Sequence, residues 1–187
     1  MNEYELIQDL RNGNEQAFKT LVETYQDMVF NTAIGIVQNA QDAEDVAQEV
    51  FIRIFRSINS FKGESKLSTW IYRITTSCAL DLIRSRKSKK RFAFLQRLFG
   101  ENNEPIYEVP DFNHPGVALD QKENAAKLFK AIDQLPENQK VAFTLHKLED
   151  LSYQEISEVM QTSVSAVESL MHRAKQNLKK ILEKEAE

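Results

Sequence analysis

The sequence predicts an all-α chain folded as two small helical domains joined by a flexible linker. Three observations predict it. Apolar residues recur at three- and four-residue spacing over long stretches, while alternating Val/Ile/Thr runs of the strand type are hard to find. Only 5 Gly and 4 Pro punctuate 187 residues. Of these, Gly100, Pro105, Pro110, Pro115 and Gly116 fall together between 92 and 116, where the helical pattern stops. A chain of this length, 42% hydrophobic, suffices for one ordinary domain or two small ones with real cores.

In order along the chain, Asn14 is placed to cap a first helix through "EQAFKTLVETYQDMVFNTAIGIV", with Phe18, Leu21, Val22, Tyr25, Val29 and Ala33 on its inner face. A second helix is expected after "NAQD". Its stripe of Ala43, Val46, Ala47, Val50, Phe51, Ile54, Phe55 and Ile58 reads as core, and the opposite face carries Asp45, Gln48, Glu49, Ile52, Arg53 and Arg56. An exposed Ile within that order of charges suggests a docking surface. After the Gly-containing loop "FKGESKL", Ser68 is expected to cap a third helix with Ile71, Ile74, Thr75, Cys78 and Leu82 on one side. That places Cys78 in the core as a small hydrophobe.

The other side of this third helix collects Trp70, Arg73, Ser77 and Arg84 and runs into Arg86, Lys87, Lys89, Lys90 and Arg91. An aromatic ring among cations suits a polyanion with exposed bases, because bases stack on rings while cations follow phosphate. Residues 92–116 are expected to form a linker, within which "RFAFLQRLF" also fits a short membrane-surface helix.

Beyond the linker, helices are expected at about 117–134 and from Pro136 to Leu148. "SYQE" is a capping box opening a short helix, and a turn at "QTS" leads into a longer one from Val164 to about Glu183. Ile156, Val159, Met160, Val164, Val167, Met171, Ala174 and Leu178 would join these last two at an angle, which makes a helix-turn-helix. Its second helix presents Ser165, Ser169, His172, Arg173 and Gln176 outward, a base-edge set followed by Lys175, Lys179 and Lys180 for phosphate. Generic helical hairpins share this shape.

The net charge of −4 hides a pattern. Cations stand to anions as 4 to 10 in residues 1–61, 10 to 2 in 62–97, 5 to 12 in 98–160 and 5 to 4 in 161–187. Blocks of one sign mark separate partners more often than one mixed surface. A single Cys excludes an internal disulfide framework and fits a reducing compartment. "MNEYELIQDL" lacks the plan of a signal peptide, and the apolar run "MVFNTAIGIV" is too short and polar-interrupted to span a bilayer. A cytoplasmic protein without stable membrane insertion is expected. No enzyme is expected either: His114, His146 and His172 are scattered, and His146 with Glu149 gives two ligands where zinc needs three or more. No catalytic residue, metal ligand or cofactor site is assigned.

Taken together, "DAEDVAQEVFIRIFRSINSFKGESKLSTWIYRI", "ALDLIRSRK" and "AIDQLPENQKVAFTLHKLEDLSYQEISEVMQTSVSAVESLMHRAKQNLKK" resemble a bacterial extracytoplasmic-function sigma factor of the sigma-70 family. The resemblance covers nearly the whole chain outside the linker. It implies a region 2-like domain at 1–91, a linker at 92–116 that threads polymerase, and a region 4-like helix-turn-helix domain at 117–187. It also implies that the first domain docks on a coiled coil of the largest RNA polymerase subunit through Asp45, Gln48, Glu49 and Arg53. The minus 10 promoter element would be melted and captured by Phe61, Lys62, Gly63, Trp70, Tyr72, Arg73, Ser77 and Arg84. The last domain would read the minus 35 element as duplex through Ser165, Ser169, His172, Arg173 and Gln176. Implied partners are the polymerase core, including its flap region, promoter DNA and an anti-sigma factor, which many relatives have and which would be able to hold this protein at the membrane. Ser77 stands where the family commonly has Asn, and Glu168 where a basic residue is common; both bear on which promoter is read. Two other classes fit less well: an ordinary helix-turn-helix regulator leaves Trp70, Arg73 and the cationic block idle, and a helical adaptor without DNA contact predicts no salt-sensitive DNA retention. An acidic N-terminal segment would also suppress stray DNA binding, since phosphate contacts dominate non-specific affinity.

Overall fold

A computed structural model describes the backbone of residues 2–99 and 127–185 and the side chains of 2–89 and 127–184. All regular structure among the described residues is helical. The first unit comprises α1 (Glu3–Arg11), α2 (Glu15–Val37), α3 (Ala40–Ser57), a 3-10 turn at Ile58–Ser60, and α4 (Leu67–Phe99). The second comprises α5, described over 127–133, then α6 (Glu137–Lys147), α7 (Tyr153–Met160) and α8 (Val164–Glu185).

Each start has a local cause. The Asn14 side chain accepts from Gln16 N and Ala17 N at 2.9 and 3.3 Å, as expected for the start of α2. Asn39 accepts from Asp42 N at 3.0 Å, so α3 begins inside "NAQD" and not after it. α1 was not anticipated, although Asn2 and Glu5 form a capping box that the sequence displays. Helix α4 begins at Leu67, which places Ser68 within its first turn and not at the cap. Its leading N–H is satisfied from another element: Leu67 N donates to Glu3 Oε1 at 3.2 Å, tying α1 to α4.

The core of the first unit joins Leu6, Leu21, Val29, Val50, Ile54, Leu67 and Ile71, all buried. The α3 stripe closes as expected at Ala43, Val46, Val50, Ile54 and Ile58. Phe55 departs from it. This ring is 57% exposed and meets Phe18 edge-on, with centroids 5.4 Å apart, so it lies at the border of the core. Cys78 is buried, and burial pushes its thiol up to about 11, in keeping with a structural role. Backbone helix α4 continues to Phe99, past the expected domain end at 91. The remaining linker and residues 117–126 of the next expected helix lie outside the described residues.

In the second unit, Ile156, Val159, Val167, Met171, Ala174 and Leu178 are buried where α8 packs on α6 and α7. The capping box is present, with Glu155 N donating to Ser152 Oγ at 3.3 Å and Ser152 N donating to Glu155 Oε2 at 3.0 Å. Gln161 turns the chain in the left-handed region, and Ser163 Oγ accepts from Ala166 N at 3.1 Å to start α8. A helix-turn-helix results, as expected.

The two units pack on each other. α6 lies against α2 and α7 against α4. At the first crossing Gly35 has no side chain, and a Cβ there would stand 2.5 Å from Thr144 Cγ2 and 2.6 Å from Leu148 Cδ1. The Thr144 hydroxyl donates to the Gly35 carbonyl at 3.2 Å. This glycine sets how closely the helices approach.

Candidate functional site

Three surfaces gather the residues singled out in the sequence. The first is the outer face of α3. Asp45, Gln48 and Ile52 are exposed, and Glu49 and Arg53 are half-buried. Arg53 Nε donates to Glu49 Oε1 at 2.7 Å, one turn away, and its guanidinium reaches Asp81 Oδ2 on α4 at 3.4 Å. Arg53 is thus held upright between two carboxylates, and the four docking candidates share one continuous strip opposite the core stripe.

The second surface is the outer side of α8. Ser165, Ser169, His172, Arg173 and Gln176 are all exposed and adjacent. They bond along their own helix: Ser169 Oγ donates to Ser165 O at 3.0 Å, Arg173 Nε to Ser169 O at 3.2 Å, and Gln176 Nε2 lies 3.0 Å from His172 Nε2. Glu168 is exposed on the same helix.

The third surface is α4, and here the expectations divide. Lys62 and Ser77 are exposed, and Trp70 is half-buried. Phe61 is only 4% exposed, so it is a core residue of the first unit and offers no ring to a ligand. It supports Trp70 from below, ring centroids 5.1 Å apart. Tyr72 is likewise covered, at 7% exposed, by the second unit. Its hydroxyl donates to Glu149 Oε2 at 2.9 Å. Arg73 donates through Nε and Nη2 to the Glu158 carbonyl at 3.1 and 2.9 Å, near the C-terminal end of α7 where the helix dipole is negative. Arg84 donates through the same two nitrogens to Glu137 Oε2 at 3.1 and 3.0 Å. Lys87 and Lys66 complete the row, 3.6 Å from Glu137 Oε1 and 3.8 Å from Glu155 Oε1.

Two carboxylates near α4 are electrostatically uncomfortable. Asp42 is buried and paired with Arg86; burial raises its pKa and the guanidinium opposes the rise. Glu149 is half-buried, with one oxygen on Tyr72 and the other buried without a partner. Burial raises its pKa, the Tyr72 hydrogen bond lowers it, and Asp150 raises it. Burial, then the charge of Glu149, pushes the Tyr72 phenol above its ordinary value.

Among the described residues no cluster of three or more His, Cys, Asp or Glu is placed to hold a metal ion. His146 is accounted for structurally: its Nδ1 lies 2.9 Å from the Leu151 carbonyl, which can only accept, so Nδ1 carries the proton. No helix among the described residues is long and apolar enough to cross a membrane.

Two helical units, one with an exposed polar strip on α3 and a cationic α4 and one with a helix-turn-helix, are the architecture among the described residues. Sequence comparison gives the family. Residues 21–89 match the model of sigma-70 region 2, and 125–178 match that of sigma-70 region 4. RNA polymerase sigma-H factor of Pseudomonas aeruginosa is 34% identical over 179 residues, covering 96% of this chain and 93% of that protein. ECF RNA polymerase sigma-E factor of Escherichia coli strain K12 is 31% identical over 171 residues, covering 91% of this chain and 89% of that protein. The chain belongs to the sigma-70 family of RNA polymerase sigma factors, in its extracytoplasmic-function branch. Sigma factors are promoter-recognising initiation factors and not enzymes. The fold also resembles CnrH, solved in complex with the cytosolic domain of CnrY, with a TM-score of 0.68 at 20% identity over 97% of both chains. A second likeness is RpoE of Bartonella quintana, solved with the anti-sigma factor NepR, with a TM-score of 0.60 at 20% identity over 89% of this chain and 96% of that one.

Proposed function

We propose that residues 1–91 dock the polymerase core and capture the melted minus 10 element, while residues 117–187 read the minus 35 element as duplex. The observation that carries this reading is the separation of two exposed polar strips. Asp45, Gln48, Glu49 and Arg53 stand on α3, and Ser165, Ser169, His172, Arg173 and Gln176 stand on α8. Among the described residues neither strip is used in packing the units together, which leaves both to macromolecules. On this reading Lys62, in the loop before α4, and Trp70, Tyr72, Arg73, Ser77 and Arg84, on α4, meet the separated strands, and Phe61 acts indirectly by supporting Trp70. The protein works in the cytoplasm with polymerase and promoter DNA, and an anti-sigma factor holds it in reserve, at the membrane where that factor is itself membrane-bound.

In vitro transcription on a promoter-fragment library, with core polymerase plus and minus the protein, tests the assignment. Glu49→Lys and Arg53→Glu should each abolish protein-dependent start sites and co-purification with core enzyme while the free variants stay folded, melting somewhat below the parent because the Arg53–Glu49 pair is lost and Arg53→Glu also faces Asp81. Normal co-purification of both would remove α3 from the docking role.

A further inference from the structure

We propose that α1 braces the loop leading into α4 and so sets how sharply that loop selects a minus 10 base, with Glu3 and Arg11 as positioning residues. Two hydrogen bonds carry this. Arg11 donates from Nη2 to the Phe61 carbonyl at 2.5 Å, and Glu3 Oε1 accepts from Leu67 N at 3.2 Å. These are the two ends of the loop: Phe61 follows the 3-10 turn and Leu67 opens α4, and both side chains are buried. The partners stand 50 and 64 residues apart in sequence, so neither bond is a by-product of forming a single helix. Between the anchors Lys62, Gly63 and Glu64 are exposed. Gly63 turns the chain at φ +74°, with nothing within 4 Å of where a Cβ would stand. The middle of the loop therefore takes its course from its ends.

The helix is suited to this task. Glu3 and Arg11 stand at its opposite ends, about 12 Å apart along the axis at a rise of about 1.5 Å per residue, so α1 is a strut of fixed length. Leu6, Ile7 and Leu10 bury its inner face, and it packs on α2 and on the 3-10 turn. The hold on Phe61 also reaches Trp70, since the two rings lie with centroids 5.1 Å apart. A loop ordered beforehand does not lose that conformational freedom when a base is bound. If releasing both anchors leaves about one loop in five in the capture arrangement, affinity for the correct base falls about fivefold. A base that is not captured loses nothing, so discrimination between bases falls by the same factor.

This inference rests on the reading of Lys62 and Trp70 as strand-capture residues, and the experiment separates the two. Glu3→Ala removes an acceptor from an exposed position. Arg11→Met keeps an apolar stem and removes the donors, together with an Nε that is buried without a partner. Glu3→Gln keeps a carbonyl acceptor for Leu67 N and is the conservative control. Gly63→Val forces the loop out of its left-handed turn from within, which tests the loop itself. Each full-length variant, with core polymerase, transcribes a promoter recovered from the fragment library in which every minus 10 and minus 35 position is replaced in turn by each base. The readout is the ratio of transcript on the best base to that on the worst. An approximately fivefold fall in the minus 10 ratio for Glu3→Ala and Arg11→Met combined, with the minus 35 ratio and Glu3→Gln at the parent's level, supports the brace. Equal falls at both elements, or a fall in Glu3→Gln as large as in Glu3→Ala, overturn it, because the helix is then merely structural. A parent-like minus 10 ratio in the combined variant, while Gly63→Val lowers it, also overturns the brace and leaves the capture role of the loop standing. No change in any variant, Gly63→Val included, overturns it as well and locates the failure in the strand-capture reading.

Discussion

Trp70 is the residue at which packing and recognition compete most directly. Its ring is half-buried against Phe61, leaving part of a face outward on the side of α4 that carries Ser77. A single base–aromatic stack is worth about 1 to 3 kcal/mol. A fully buried large aromatic truncated to alanine costs about 3 to 5 kcal/mol of stability. Because Trp70 is only partly buried, Trp70→Ala should lower the melting temperature less than a core truncation such as Phe61→Ala. It should still remove about 1 to 3 kcal/mol of open-complex stability, seen as faster decay of heparin-resistant complexes. A pre-melted bubble template should retain that defect, because base capture is still needed there. Trp70→Ala melting as far below the parent as Phe61→Ala, with normal open-complex lifetime, would make the ring purely structural. Residue roles were only partly legible in the sequence here. Phe61 and Trp70 are both aromatics beside a cationic helix, and periodicity does not say which lies underneath. Phe55 shows the reverse: it keeps the core spacing of α3 yet projects past the edge of the bundle.

At the scale of elements the sequence was most informative where a helix start carries its own cap. Asn14, Ser152 and the apolar stripes of α3 and α8 predicted their helices because the causes are local. Where the cause is distant, the expectation slipped. Nothing near Leu67 announces that Glu3 will accept its N–H, so Ser68 was the natural but incorrect cap. Helix α8 gives a prediction of its own. Arg173 is exposed and folded back on Ser169 O, a contact it can exchange for a base edge at little cost. If it reads a base pair, Arg173→Ala should cost about 1 to 3 kcal/mol, or one to two decades of promoter use. The loss should vary with the minus 35 sequence in a competition assay over a base-substituted promoter set. A uniform loss with a shallower salt slope would make Arg173 a phosphate contact.

For the molecule as a whole, segregated charge blocks were legible but their pairing was not, because the α4–α7 contact joins residues such as Arg73 and Glu158 that are distant in sequence. Gly35 was the overlooked signal: an isolated glycine inside a helical pattern marks a close approach. The same contact makes the free protein sensitive to pH through Glu149. Closing buries this carboxylate with one oxygen unpartnered and raises its pKa. The groups around it are Tyr72 on α4, Asp150 beside it and, through Tyr72, Glu155; Lys66 faces Glu155 from the first unit. A raised pKa in the closed form means that closing takes up a proton. This contribution is fully present below the ordinary carboxylate value and is lost as pH rises through the closed-state value. Acidification from about pH 8 to about pH 5 should therefore favour the compact form through this group. Glu149→Gln keeps an acceptor for the Tyr72 hydroxyl without a charge to bury, so it should be more compact than the parent at the upper end and lose most of the slope. Small-angle scattering of both proteins across the range reads the difference, which isolates this one group from the other carboxylates of the contact. A Glu149→Gln protein that is more expanded than the parent at pH about 8, or that follows the parent's slope, would show that the buried charge does not govern closing.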